Sequence, residues 1–463
     1  MICLMKISIV KSIICAHFIN LSRSIYQNLK HQIQQKENIQ NALLLVAALV
    51  SGIAASLYAK VFKFSENIFV NLTSDKKEIV FITTPLFFLA AWWFIFKFSK
   101  ESSGSGIPQV LVANEFDDES VNKKQISRFL SFRVIIVKTI SSLVCVIGGG
   151  AIGREGPTIQ ISASVFYIFG EKVKKYLPSS RSHIWIISGA AAGLAAAFNT
   201  PLGGIIYAIE ELGATHFSKI RTILLAAIIT SGLVSLWLNG NYLYLGFPTI
   251  YIEGISIIPM ALLVGIISGL AGSSFSSLLF TLTKLRRRIK APGKLALISI
   301  FCGLAMASLI YFDSRSSGSG LELLNEFLFH GKSADGLLVV SRFLGTMISY
   351  LAGSAGGIFS PSLTIGGSLG GYIAHLFGSP DQNILILLGM IGFLTGVTKT
   401  PFTSFILVVE MTNKHSAIFP MMVSALVALL ASNIIHGHSF YERMKEVYLE
   451  EIQDENLIQS SSI

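Results

Sequence analysis

The residue most able to do chemistry in this sequence is Glu155. It lies in Gly153-Arg154-Glu155-Gly156-Pro157, between an apolar run that ends in the triplet Gly148-Gly149-Gly150 and a second apolar run from Thr158 to Gly170. A carboxyl group placed there has two readings. It belongs to a Glu–Arg pair in an exposed turn, or it is an acid held at membrane depth in a break between helices. In the second case burial disfavours its charge, while backbone donors and Arg154 favour it. Such a group can titrate in the working range. Deprotonated it occupies an anion site itself, and protonated it vacates that site. Glu211 is a second acid, at the end of another apolar run. It is either an interfacial acid at a helix terminus or an entry point for protons on the cytoplasmic side.

The backbone around Glu155 suits an anion. A helix N-terminus presents unpaired N–H groups and a partial positive charge, and it binds anions without a full cation. Glycine there lets an ion approach closely. Three stretches have this composition: Gly104-Ser105-Gly106-Ile107-Pro108, Gly153 to Pro157, and Gly356 to Pro361. Pro108, Pro157 and Pro361 suit a first helical turn. If these ends converge, they favour a small, loosely held anion. Ser105 adds a hydroxyl donor, unless it is only the middle of a flexible turn. Lys138, alone in an apolar run, either raises the local positive potential or snorkels from a helix end.

The elements that must position these groups are membrane segments. Of the 463 residues 52% are hydrophobic and 13% charged, about half the charge of a soluble domain. The expected fold class is therefore an all-α polytopic membrane protein, with the lipid bilayer as its surroundings. The net charge of +10 is no nucleic-acid signal, because Lys and Arg concentrate in the first forty residues and in Lys284 to Lys294. The positive-inside rule puts both regions in the cytoplasm, and both termini are expected there. Cys3, Cys15, Cys145 and Cys302 have no paired spacing, and the nine histidines show no H-E-x-x-H. No disulfide, metal, cofactor or enzyme chemistry is expected.

Many apolar runs hold only 10–16 residues, short of the roughly 20 that a full span needs. Irregular backbone at that depth is tolerated only where it is buried in protein or lines a watery cavity. Short segments interrupted at matching positions in two halves mark a transporter site. The matches are present. Ser102-Ser103-Gly104-Ser105-Gly106-Ile107 resembles Ser316-Ser317-Gly318-Ser319-Gly320-Leu321, 214 residues later. Gly153-x-x-x-Pro157 resembles Gly357-x-x-x-Pro361, 204 later, and Thr200-Pro201 with Glu210 resembles Thr400-Pro401 with Glu410, 200 later. The ordered set argues for an internal duplication of inverted topology. The expected division is residues 1–40, a basic amphipathic segment on the membrane surface or in the cytoplasm; 41–240 and 241–440, the two membrane repeats; and 441–463, a short cytoplasmic tail. Glu210 and Glu410, kept in both halves, are read as structural. Glu155 faces Phe359 and Glu211 faces Met411, so these two acids break the symmetry.

At this point the motifs resemble the CLC family of chloride channels and chloride/proton exchangers. The resemblance rests on the three glycine motifs, on Phe198-Asn199-Thr200-Pro201 through Glu210-Glu211, on Val409-Glu410-Met411-Thr412 and on Ser439-Phe440-Tyr441-Glu442. It covers roughly residues 40 to 445 and implies tilted, broken helices and the short prokaryotic form in the inner membrane. It also implies a homodimer with one pathway per subunit, joined through Pro201–Leu238 and Pro401–Ile435. It further implies that Ser105 and Tyr441, with the backbone N–H groups of Ile358 and Phe359, hold chloride. Glu155 resembles the external gating glutamate and Glu211 the internal proton-transfer glutamate. Gly104, Gly106, Gly153, Arg154, Gly156 and Gly357 frame the site. Two acids favour a chloride/proton antiporter; the alternative is a passive voltage- or pH-gated chloride channel of the same fold. Gln109 and Phe440 depart from the commoner residues beside these motifs.

Overall fold

The computed structural model describes residues 38–116, 123–175, 181–213, 222–240, 243–250, 255–379 and 381–457. The basic N-terminal segment lies outside them, apart from its last three residues. Among the described residues the chain is helical, and only two isolated bridges pair extended backbone. Seven helices among the described residues are long and apolar enough to cross a membrane.

The order of elements repeats. α1 (Asn38–Ser74) and α2 (Val80–Phe98) correspond to α10 (Ile258–Arg287) and α11 (Pro292–Phe312). The short α3 (Ile107–Glu115) corresponds to α12 (Leu321–Phe329). α4 (Ser120–Phe129) leads into α5 (Phe132–Ile147), which corresponds to α13 (Gly336–Leu351). α6 (Glu155–Lys174) and α7 (Ser182–Phe198) correspond to α14 (Phe359–Leu376) and α15 (Gln382–Thr398). α8 (Pro201–Glu210) and α9 (Phe217–Asn239) correspond to α16 (Pro401–Thr412) and α17 (Ile418–Asn433). α18 (Phe440–Ser461) follows. It starts at the last residue of the expected second repeat and runs through the segment expected as a tail, and it buries Tyr441, Tyr448 and Ile452 against the body.

The local backbone repeats in detail. A 3-10 turn, Lys100–Ser102 or Ser314–Ser316, precedes each short helix. Two left-handed glycines then turn the chain: Gly104 and Gly106 at φ 68° and 106°, and Gly318 and Gly320 at 68° and 87°. Only glycine adopts such angles without a Cβ penalty. α7 and α15 both end on a left-handed non-glycine residue, Asn199 (φ 57°) and Lys399 (φ 61°), before a Thr-Pro pair starts the next helix.

The halves are joined head to head. Gly153 and Gly357 exchange both backbone hydrogen bonds, each 2.8 Å long, as an antiparallel pair. Because α6 starts two residues after Gly153 and α14 two residues after Gly357, the two helices run away from a common point. The repeat is therefore inverted. A second exchange lies where α8 and α16 meet. Glu210 accepts from the N–H groups of Phe402 (3.1 Å) and Thr403 (2.7 Å), and Glu410 accepts from those of Leu202 (3.0 Å) and Gly203 (2.7 Å). Each carboxylate caps the first turn of the other half's helix, where a negative charge is favoured. This pair holds the halves together, as its symmetry suggested.

Loss of one cap should be read as stability. Glu410→Ala leaves two N–H groups at the α8 start without their acceptor and should cost about 1–3 kcal/mol. A lower melting temperature of the purified protein, with Glu410→Gln closer to wild type, checks this. Equal stability of Glu410→Ala and wild type would refute the cap.

Candidate functional site

Three of the helix N-termini singled out by the sequence converge. The loop before α3 pairs with the loop before α14: Gly104 N–H donates to Ser354 O (2.9 Å), and Gly356 N–H donates to Gly104 O (3.0 Å). α6 joins through Gly153–Gly357. Pro108, Pro157 and Pro361 all lie in first turns, where their missing N–H costs no hydrogen bond. Gly156 lets α6 touch the Ser105 loop, because a Cβ there would stand 2.7 Å from the Ser105 carbonyl oxygen.

Ser105 and Tyr441 form the polar side of this junction. Both are fully buried, and both hydroxyls lack a hydrogen-bond partner in the protein. The two side chains face one another. A buried hydroxyl without a partner is costly, and a pair of them beside helix N-termini is suited to donate to a hydrogen-bond acceptor. Ile358 and Phe359 are buried at the start of α14, where backbone N–H groups have no carbonyl one turn earlier to bond.

Glu155 is fully buried. The exposed-turn reading is thereby excluded: the residue is the first of α6, not part of a surface loop. Its Oε1 accepts a 3.0 Å hydrogen bond from the Tyr244 hydroxyl, and the Arg154 Nε lies 4.0 Å away. Its Oε2 lies over Gly153, at the point where a Cβ of that glycine would be 2.5 Å from it and 2.9 Å from Pro361 Cδ. The carboxylate thus sits across the start of α14 and faces the N–H of Ser360. It lies where an anion drawn to that helix end would lie. Arg154 itself donates to the Ala59 carbonyl (3.2 Å) and stands 5.7 Å from the Tyr244 ring centre.

Lys138 does not snorkel. It is fully buried inside α5, and its Nζ donates to the carbonyls of Ser102 (3.0 Å) and Gly104 (2.8 Å). Arg342, 204 residues later and also fully buried, binds the carbonyls of Ser317 (2.6 Å) and Gly318 (3.1 Å), the second of which corresponds to Gly104. Each cation ties off the carbonyls of a left-handed turn, so the carbonyl dipoles are neutralised and the N–H groups on the other side of the turn dominate the local potential.

Glu211 caps the C-terminus of α8, with Glu210, Glu442 and Lys445 as its charged neighbours. Tyr207 and Tyr441 both feel its charge, and Tyr441 feels that of Glu155 as well. Tyr441 is thus within electrostatic reach of both acids. The departure at Gln109 is accommodated by hydrogen bonds to Ser103 O (2.6 Å) and the Tyr448 hydroxyl (3.0 Å). Phe440 packs edge-on to Tyr350 at 5.7 Å.

Two site residues carry no signal in the sequence. Tyr244 lies between α9 and α10, outside the paired helices, so it has no counterpart to be compared with. Tyr207 reads as one more apolar-face aromatic of α8, yet its buried hydroxyl lacks a partner. Their tyrosine hydroxyls, placed in stretches otherwise apolar or turn-like, are the only hint.

With this geometry in view, comparison identifies the class. A profile of the family described as voltage gated chloride channel matches residues 86–433, and the chain belongs to that family, the CLC proteins. The chain is 27% identical over 433 residues to the H(+)/Cl(-) exchange transporter ClcA of Salmonella paratyphi A, covering 89% of each. It is 29% identical over 378 residues to the ClcA of Yersinia pestis bv. Antiqua (strain Angola), covering 78% of this chain and 76% of the relative. A slow cyanobacterial Cl-/H+ antiporter aligns with TM-score 0.75 and 25% identity, over 88% of this chain and 98% of that one. A CLC-type fluoride/proton antiporter aligns with TM-score 0.72 and 23% identity over the same shares, which shows the common fold. These relatives are transporters.

A single methyl tests the junction. Gly156→Ala would push against the Ser105 backbone and should abolish chloride binding measured by titration calorimetry. Wild-type affinity would show that α6 and Ser105 do not share a site.

Proposed function

We propose that this chain is a chloride/proton antiporter in which Glu155 is both gate and proton carrier. The observation that carries the reading is the buried carboxylate of Glu155 lying across the α14 N-terminus, next to the Ser105 and Tyr441 hydroxyls. A carboxylate and a chloride ion are rivals for the same N–H groups. When Glu155 takes a proton its claim on that site falls, and chloride enters. When chloride leaves, the carboxylate returns and the proton departs.

In this reading chloride is held by Ser105 Oγ, the Tyr441 hydroxyl and the backbone N–H groups of Ile358 and Phe359. Gly104, Gly106, Gly153, Gly156, Gly357 and the three prolines shape the helix ends, and Lys138 and Arg154 supply positive potential. Glu211 exchanges protons on the cytoplasmic side, and Tyr441, which senses both acids, lies between their routes. The ordering of the acids supports antiport over a passive channel, since a gate alone needs no second acid.

The protein is proposed to work as a homodimer in the inner membrane with both termini cytoplasmic. Support comes from large apolar side chains left exposed on α8, α9, α16 and α17: Leu202, Leu233, Trp237, Phe402, Phe419 and Leu430. The repeats, 41–240 and 241–440, are the proposed units within each subunit.

The experiment is paired flux from reconstituted liposomes. Glu155→Gln should keep chloride movement and lose proton coupling. Glu211→Gln should lose most proton movement while chloride still passes. Coupling retained in Glu155→Gln would remove it from the mechanism, and normal proton flux in Glu211→Gln would remove the internal acid.

A further inference from the structure

The hydroxyl that holds Glu155 comes from the segment between α9 and α10, outside the paired helices. Tyr244 lies in residues 243–250, described between α9 and α10, and is 6% exposed. Its backbone is pinned by the neighbouring Leu245 N–H, which donates to Met411 O (3.1 Å). Its ring is fixed on two sides. Phe198 packs against it edge-on at 4.9 Å, and the Arg154 guanidinium stands over its face at 5.7 Å. Phe198 in turn packs against Phe359, the first residue of α14, at 5.4 Å. The hydroxyl is also 3.4 Å from Ser360 Oγ.

A donor fixed in this way cannot follow Glu155 if that side chain swings away. The 3.0 Å bond to Oε1 exists only while the carboxylate lies across the α14 start. A contact made in one of two states shifts the balance towards that state by its own free energy. The bond joins a neutral hydroxyl to a carboxylate, the stronger class of hydrogen bond. The constellation of Tyr244, Phe198 and Ser360 is therefore a clasp for the closed position of Glu155, and it has no role in holding the anion.

We propose that Tyr244 is a positioning residue that latches Glu155 over the anion site, and that it thereby weakens chloride binding and slows opening. The proposal rests on the reading of Glu155 as the rival of the anion. Removing the latch should favour the anion in that competition. By the same account the latch weakens when residue 155 has no negative charge, because a neutral oxygen accepts a weaker hydrogen bond.

The test is chloride titration by calorimetry on four purified full-length proteins: wild type, Tyr244→Phe, Glu155→Gln and the double variant. Tyr244→Phe removes one hydroxyl and keeps the ring that Phe198 and Arg154 pack on. It should tighten chloride binding by about tenfold, the factor that a charge-assisted bond at the low end of its range supplies. Chloride turnover in liposomes should rise with it, with proton coupling retained. In the Glu155→Gln background, where the side-chain amide oxygen accepts a weaker, neutral hydrogen bond, the same substitution should have a much smaller effect. Wild-type affinity in Tyr244→Phe would overturn the latch, and so would an equal change in both backgrounds, which marks a packing effect. Retention of proton coupling by Glu155→Gln alone would instead overturn the reading of Glu155, because that outcome does not involve Tyr244.

Discussion

The pair of main-chain hydrogen bonds between Gly153 and Gly357 is the contact on which the rest depends. It fixes α6 and α14 start to start, so that two positive helix ends point into one small volume. Burial of so many backbone ends is ordinarily a liability in a membrane, where an unpaired N–H has no water to turn to. Here it creates the need that an anion, or a carboxylate in its place, fulfils. Buried Lys138 and Arg342 keep the turns beside these ends in their left-handed form by binding carbonyls on the far side.

Symmetry explains the scaffold, and departures from symmetry locate the chemistry. Glu210 and Glu410 exchange caps between halves and are interchangeable in role. Glu155 and Phe359 occupy the same position in α6 and α14, yet one is an acid lying over the other's helix end. Tyr441 belongs to α18 and Tyr244 to the segment between α9 and α10, both outside the paired helices. The functional groups thus sit where the duplication is broken or was never present.

This pattern also accounts for what could be read from sequence. The Gly and Pro spacing at 104–108, 153–157 and 356–361 marks helix starts because left-handed turns at Gly104 and Gly106, close packing at the other glycines and first-turn prolines admit few other residues. The repeat singled out Glu155 and Glu211 by subtraction. Burial was beyond reach, so Glu155 in an exposed turn and Lys138 at a helix end stayed open until side chains could be placed. Tyr244 was invisible because a lone tyrosine in a connection has neither period nor partner. The basic cluster near α10 read as a cytoplasmic charge run, but part of it is used internally: Arg287 pairs with Glu451 and stacks on Tyr448 at 4.2 Å.

The central claim is that one carboxylate and one anion share a site, so that protons and chloride must move in exchange. The most direct measurement is proton movement in liposomes carrying the wild-type protein, driven by a chloride gradient alone. The account predicts that protons move opposite to chloride, uphill if need be, and that the reversal potential shifts with pH. Chloride flux with no accompanying proton movement, and a reversal potential blind to pH, would contradict it.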